Sequence, residues 1–184
     1  GVVADSGVSA VSLLAAVREH VTVVTRLRLD AALFGPVPPR VPGRPGRPRK
    51  RGNRLPSLVQ QLADPTTAWA PLTVGRWYNR TEYPVEVASG IAWWYRAGVG
   101  SVPLRWLVVR DPSGAVAPKG FLCTDQAIAP EVILGWFLRR WSVEVTFAEV
   151  RRHLGVETQR QWSDLAVART TPCLLGLFSV VALV

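Results

Sequence analysis

The chain contains no methionine and only two cysteines and two histidines among its 184 residues. The cysteines, Cys123 and Cys173, have no metal-ligand spacing, so the sequence excludes a zinc framework and a disulfide framework. Both lie in apolar runs, and we expect them to be reduced core residues of a cytoplasmic protein. No glycine-rich loop of the P-loop or dinucleotide-binding type is present, which excludes those two kinds of nucleotide site.

The two ends of the chain also lack familiar signals. No signal peptide is visible at the start. The apolar run at 173–184 has 12 residues, fewer than the about 20 that span a bilayer, so it predicts a buried helix and no membrane partner. A chain that starts with glycine, lacks methionine and stops within an apolar run predicts an internal part of a longer protein.

Acidic residues are few relative to basic ones. There are 13 Asp and Glu against 22 Lys and Arg, which gives a net charge of +9. This charge predicts a polyanionic partner, with nucleic acid first and an anionic membrane second. Hydrophobic residues make up 48% of the chain, so it can bury a core, and its length suits one domain or one domain with an insertion.

The first 30 residues predict a strand, a helix and a second strand. An apolar run at 1–8 is broken by Asp5, helical spacing follows from Ser9 to His20, and residues 21–29 are β-branched. Ser9 is the expected N-cap of the helix. A βαβ order of this kind favours an α/β fold.

Residues 35–56 predict a basic loop or arm. They contain seven prolines, four glycines and seven Arg or Lys with no acidic residue, so no packed element fits them. Residues 46–50, GRPRK, resemble an AT-hook core, in which extended arginines lie in a narrow minor groove. The alternative is a solvated loop that contacts phosphates without sequence preference. Both interpretations predict DNA contacts from the same five cations: Arg44, Arg47, Arg49, Lys50 and Arg51.

Short aromatic and β-branched segments follow between Leu72 and Asp125. They predict five strands, with the sequences LTVGRWYN, YPVEVAS, IAWWYRA, PLRWLVVRD and KGFLCTD. Turn signals separate these segments, most clearly in the DPSG sequence at 111–114. Neighbouring residues on a strand face opposite sides, so at most one of Trp93 and Trp94 is expected to reach a ligand.

Two helices are predicted in the last third of the chain. The first runs from Pro130 to about His153, with Gly155 as its stop. The second starts near Ser163 and is kinked or restarted at Pro172.

One stripe of the first of these helices carries candidate chemistry. Arg140, Glu144 and Arg151 lie 3, 7 and 14 residues after Phe137. At about 100° per residue the four positions fall at about 0°, 300°, 340° and 320°, which is one narrow stripe. Along this stripe one carboxylate lies between two guanidiniums in chain order. Such an acid can ligate a metal while the arginines hold phosphates. The alternative is a surface helix in which Arg140 and Glu144 form an i, i+4 pair.

Residues 137–162, FLRRWSVEVTFAEVRRHLGVETQRQW, resemble the C-terminal catalytic helix of bacterial insertion-sequence transposases of the DDE class. In one large subgroup this helix carries Tyr, two residues, Arg, three residues, Glu, six residues and Lys. Phe137 and Arg151 replace the Tyr and the Lys here. The resemblance covers nearly the whole chain and is sharpest from 119 to 177. It implies a transposase that performs metal-dependent DNA cleavage and strand transfer.

The resemblance also implies an arrangement of domains. Residues 1–30 and 126–184 are expected to form part of an RNase-H-like core that C-terminal helices close. A β-rich insertion at 72–125 interrupts this core, and residues 31–71 form a basic Pro/Arg-rich arm and linker.

Catalysis in this family uses two divalent ions, Mg²⁺ or Mn²⁺, held by three carboxylates. The resemblance implies that Asp5 is the second of these acids and Glu144 the third. The first is expected upstream of Gly1, and the chain alone is therefore expected to be inactive. Four other aspartates are poor substitutes for the first acid: Asp30, Asp64, Asp111 and Asp125.

The implied partners are transposon-end DNA, target DNA and, in the full-length protein, a second copy. Arg140 and Arg151 would bind phosphates near the cleavage point, and Phe137 or Trp94 would stack on an extruded base. Core packing is the alternative for the tryptophan. Two other functions stay open: a non-catalytic DNA-binding remnant, and a structure-specific nuclease on the same fold.

Overall fold

The computed structural model describes residues 1–4, 10–39, 48–77, 80–156 and 163–181, without the side chains of 76, 77, 80 and 141–145. The described elements, in chain order, are β1 (Val2–Val3), α1 (Val11–Val17), β2 (Val23–Leu27), β3 (Leu33–Phe34), α2 (Leu58–Ala63), β4 (Ala70–Trp77), β5 (Arg80–Arg96), β6 (Gly100–Arg110), β7 (Lys119–Cys123), α3 (Pro130–Leu154) and α4 (Asp164–Val181). By compactness the chain divides into two units, Gly1–Leu138 and Arg139–Val184.

The first unit is built on one open, mostly antiparallel sheet of seven strands. Its order is β1-β2-β7-β6-β5-β3, and β4 also pairs with β5. The class is therefore mixed α/β, as the sequence predicts. Strands of the predicted core and of the predicted insertion are hydrogen-bonded into the same sheet, because β2 pairs with β7. The boundaries at 30, 71 and 125 stay a prediction.

The predicted βαβ unit is present. β1 and β2 pair in parallel, with Val2 opposite Val23, and α1 connects them. The helix is shorter than the predicted span of 9–20. Ala10 occupies its N-cap position without a side-chain capping bond, and Ser9 lies outside the described residues.

The five strands predicted after Leu72 are four in the structure, because YPVEVAS and IAWWYRA form the single strand β5. Gly90 lies at the predicted break, directly opposite Trp106 of β6. A Cβ atom at this glycine would lie 2.8 Å from the indole ring of Trp106. The glycine therefore admits a close cross-strand approach rather than a turn. The turn predicted at 111–114 is confirmed: Gly114 has a φ of 72° and donates to the Asp111 carbonyl at 3.0 Å.

Two hydrophobic clusters cover the two faces of the sheet. We call these the α1 face and the α3 face. On β7, Leu122 belongs to the first cluster, while Phe121 and Cys123 belong to the second, as strand alternation requires. Burial raises the pKa of the Cys123 thiol, which is a reduced core residue as predicted. The α1-face cluster contains Val11, Leu14, Val23, Leu27, Leu58, Leu104, Val108 and Leu122. The α3-face cluster contains Val24, Leu107, Val109, Phe121, Cys123, Ile133, Leu134 and Phe137.

Hydrogen bonds hold the base of the basic arm. The amide of Gly35 donates to the Asn53 carbonyl at 2.8 Å, and the amide of Leu55 donates to the Leu33 carbonyl at 2.9 Å. α2 then begins with a capping box at Ser57. In the described residues of 35–53 there is no helix or strand, in agreement with their composition.

The second unit contains the rest of α3 and all of α4. α3 ends at Leu154 and Gly155 follows with a φ of 66°, so the predicted bounds are confirmed to within one residue. Of the two alternatives predicted at Pro172, the restart is wrong, since α4 continues through this residue, and the kink stays a prediction. A proline removes one backbone donor, and a helix of this length can retain its other hydrogen bonds.

Exposure of α4 corrects two further predictions. None of its described residues is buried, and Cys173 is exposed, so neither the buried helix nor a core position for this thiol is found. Hydropathy alone predicted burial, but burial needs a packing partner on the apolar side. Among the described helices, α4 is long and apolar enough to cross a membrane by length and composition.

Candidate functional site

The strand that leads to Asp5 lies at one end of the sheet. The Ala4 amide, just after β1, donates to the Val24 carbonyl at 2.9 Å, and Val3 packs against the α3-face cluster. Among the described strands none pairs with the outer edge of β1. Asp5 itself lies outside the described residues.

The first turns of α3 cover the same face of the sheet. Phe137 is 6% exposed, and its ring centroid lies 4.6 Å from that of Phe121. The predicted stacking of Phe137 on a base does not fit this environment, because core contacts cover the ring. In the sequence pattern this position looked like part of a ligand-facing stripe, but the sheet beneath it could not be read from helix spacing.

The other three residues of the stripe follow on the same helix in the second unit. Arg140 is half-buried and Arg151 is exposed. Glu144 lies within α3, but its side chain is outside the described set, so neither the metal role nor the pairing with Arg140 is tested. His153 Nε2 lies 3.1 Å from a carboxylate oxygen of Glu149, one turn earlier on this helix.

The four rejected aspartates have local roles. Asp30 accepts from Arg28 at 2.6 Å, Asp64 from Thr66 at 2.8 Å, and Asp125 from the Ala127 amide at 2.9 Å. Burial opposes ionisation of Asp111, but hydrogen bonds from Tyr83, Ser113 and Val116 outweigh it and hold its pKa well below the usual range. These carboxylates serve turns and one ion pair.

No cluster of three or more His, Cys, Asp or Glu in the described part of the chain could hold a metal ion. Asp5 and the Glu144 side chain lie outside the described part. The donor type that they offer, carboxylate oxygen, is the type that Mg²⁺ and Mn²⁺ prefer. The donor chemistry therefore fits the predicted ions, while the ligand geometry stays a prediction.

The C-terminal end of the basic arm is described and exposed. Arg49, Lys50 and Arg51 are all on the surface, while Arg44 and Arg47 lie outside the described residues. Arg51 lies over two aromatic rings, with its guanidinium carbon 4.9 Å from the centroid of Phe34 and 5.6 Å from that of Tyr95. This contact was not predicted, because its partners are distant in sequence.

The two adjacent tryptophans face opposite sides of β5, as predicted. Trp94 pairs with Leu33 and packs partly buried against the α1-face cluster. Trp93 pairs with Phe34 on the other face. Core packing therefore accounts for much of Trp94, the residue proposed for base stacking.

Comparison with known proteins finds no family model and no curated protein that matches the chain.

Proposed function

We propose that the chain belongs to the catalytic part of a DNA transposase, with a core of the RNase-H-like kind. The observation that carries the proposal is the uninterrupted helix from Pro130 to Leu154. It keeps Phe137, Arg140, Glu144 and Arg151 within one helix, as the resemblance requires.

The fold of the first unit supports the same proposal. β1, which leads to Asp5, is parallel to β2, and its residue Val3 shares the α3 face with the first turns of α3. The side chain of Val3, two residues before one candidate acid, and the start of the helix that carries the other are thus on the same face of the sheet. The outer edge of β1, unpaired among the described strands, could accept a further strand.

In this proposal Asp5 and Glu144 supply carboxylate oxygens to divalent ions. When bound, a pair of such ions activates water or a 3′-hydroxyl and stabilises the leaving oxygen. Arg140 and Arg151 bind phosphates beside the cleaved bond, where the planar guanidinium can contact two oxygens at once. Phe137 has a structural role and supports the helix from the core.

A second candidate is a DNA-binding protein without catalysis. It is favoured by one observation, the exposed cations Arg49, Lys50 and Arg51 at the base of the arm. These residues would bind DNA whether or not Glu144 holds a metal.

Glu144→Gln separates the two candidates in an assay of Mg²⁺-dependent DNA cleavage by the transposase that contains this chain. The transposase proposal predicts loss of most cleavage with unchanged folding. Glu149→Gln, on the same helix, is the matched control and should retain cleavage. Arg140→Lys keeps the charge but loses the planar fork, so it should weaken binding to transposon ends first. Near-normal cleavage by Glu144→Gln would remove the transposase proposal.

A further inference from the structure

Two acid-free segments of the chain are neighbours in the sheet. Residues 31–63 contain no Asp or Glu, and neither do residues 87–110. They are far apart in sequence, but β3 pairs with β5 and so joins them. The far end of the sheet is therefore built from two segments that contain no Asp or Glu.

Four residues at this end form what we call the arginine–aromatic cluster: Phe34, Arg51, Arg54 and Tyr95. The rings of Phe34 and Tyr95 meet edge to face at 6.3 Å, and Arg51 lies over both. Arg54 is directly opposite Phe34 in an antiparallel bridge, and directly opposite residues face the same side.

The backbone that carries Arg51 is also held in place. Ser101 on β6 donates from its hydroxyl to the Lys50 carbonyl at 3.3 Å. On the C-terminal side of Arg51, the backbone hydrogen bond between Gly35 and Asn53 holds the chain in place. The cation is therefore ordered before any ligand arrives, which reduces the entropy lost on binding.

We propose that the arginine–aromatic cluster is a binding surface for the phosphate backbone of duplex DNA, with Arg51 as its fixed cation and Arg54 beside it. This inference rests on the proposed DNA function and assigns that function a surface on the sheet, separate from α3. Arg51 is held over the faces of both rings, so the cluster offers guanidinium donors to phosphates rather than ring faces to bases.

Fluorescence titration of the full chain with a labelled random-sequence duplex, over a series of salt concentrations, tests the proposal. Replacement of both Arg51 and Arg54 by Gln should reduce the slope of log K against log salt by about 2, since each phosphate contact contributes about 1. The reduction in this slope should be equal for AT-rich and GC-rich duplexes.

The double variant Arg28→Gln/Arg96→Gln removes the same charge elsewhere. Arg96 follows Tyr95 on β5 and so faces the opposite side, and Arg28 pairs with Asp30. This control should keep the wild-type slope. Equal slope losses in both double variants would show an effect of net charge alone and would overturn the proposal, as would an unchanged slope in the Arg51/Arg54 variant.

Variants of Tyr95 test the role of the ring. Tyr95→Phe keeps the ring and should bind like the wild type, while Tyr95→Leu should weaken binding several-fold. Equal affinity of the two would contradict the fixed-cation role of Arg51. A variant that loses affinity for single-stranded RNA but not for duplex DNA would overturn the choice of partner.

The two proposals can fail separately. An unchanged salt slope in the Arg51/Arg54 variant, with cleavage still dependent on Glu144, would contradict only the DNA-binding surface. A reduced salt slope, with cleavage unchanged by Glu144→Gln, would contradict only the transposase proposal.

Discussion

Two phenylalanines of helix α3 differ sharply in burial although they belong to one continuous helix. Phe137, in the unit Gly1–Leu138, is 6% exposed, whereas Phe147, in the unit Arg139–Val184, is 46% exposed. The first lies against a sheet whose two faces are both covered. The second belongs to a unit in which Val150 of α3 is buried but no described residue of α4 is. Apolar sequence therefore does not decide burial in this protein, and a partner surface does.

The largest expected contrast is between core truncations in the two units. Phe121→Ala leaves a cavity under Phe137 and should cost about 3–5 kcal/mol in the free energy of unfolding. Leu177→Ala, on exposed α4, should cost less than about 1 kcal/mol. Urea denaturation of both variants measures this. Similar costs would show that α4 is packed in solution, and the comparison between the units would then be broken.

A smaller contrast uses one glycine from each unit. A Cβ atom on Gly120 of β7 would lie 2.6 Å from the Leu27 carbonyl oxygen and 3.0 Å from Leu58. Gly120→Ala should therefore destabilise by about 1–3 kcal/mol. Gly176 on α4 has nothing within 4 Å of that position, so Gly176→Ala should stabilise by up to about 1 kcal/mol. Thermal unfolding gives both signs, and a shift of the same sign in the two variants would contradict the structure.

The local signals in the sequence predicted several elements well. Pro130 and Gly155 mark the start and the stop of α3, because their backbone restrictions act within a single turn. What sequence could not predict depends on distant partners. Gly90 was interpreted as a break between two strands, because its cross-strand partner Trp106 is 16 positions away. The exposure of Cys173 depends on what packs against α4. The ring partners of Arg51 were missed for the same reason.

The candidate site was predictable to a similar degree. Spacing and resemblance placed Glu144 correctly within a helix, and its role as a metal ligand stays a prediction. Neither could show that Phe137 belongs to the core, because its contact with Phe121 joins a helix to a strand. The convergence of Asp5 with Glu144 depends on tertiary placement and stays a prediction.

The smallest expected effect is a pH dependence in the first unit. The hydrogen bonds to Asp111 hold its pKa below the usual value, so the folded state binds this proton less tightly than the unfolded state does. The resulting stability is present above the unfolded pKa of about 3.9 and is lost as the pH falls toward the lower folded pKa.

Two variants measure this contribution through the urea midpoint at a series of pH values. Below about pH 4 the wild type loses this contribution and its urea midpoint falls. In Asp111→Asn the urea midpoint should fall less over the same pH range. Tyr83→Phe removes the 2.7 Å hydrogen bond to Asp111 and should change the pH dependence of the midpoint by a smaller amount. If the urea midpoints of both variants depend on pH below about pH 4 as the wild-type midpoint does, the hydrogen bonds do not lower the pKa of Asp111 in solution.

The transposase proposal requires that two acids far apart in the chain, Asp5 and Glu144, bind the same divalent ions. Mn²⁺ binding to the protein in the presence of DNA, followed by electron paramagnetic resonance, tests it most directly. We expect Asp5→Asn and Glu144→Gln each to weaken Mn²⁺ binding at least tenfold, whereas Glu149→Gln binds Mn²⁺ like the wild type. Wild-type Mn²⁺ affinity in both the Asp5 and the Glu144 variants would contradict the account.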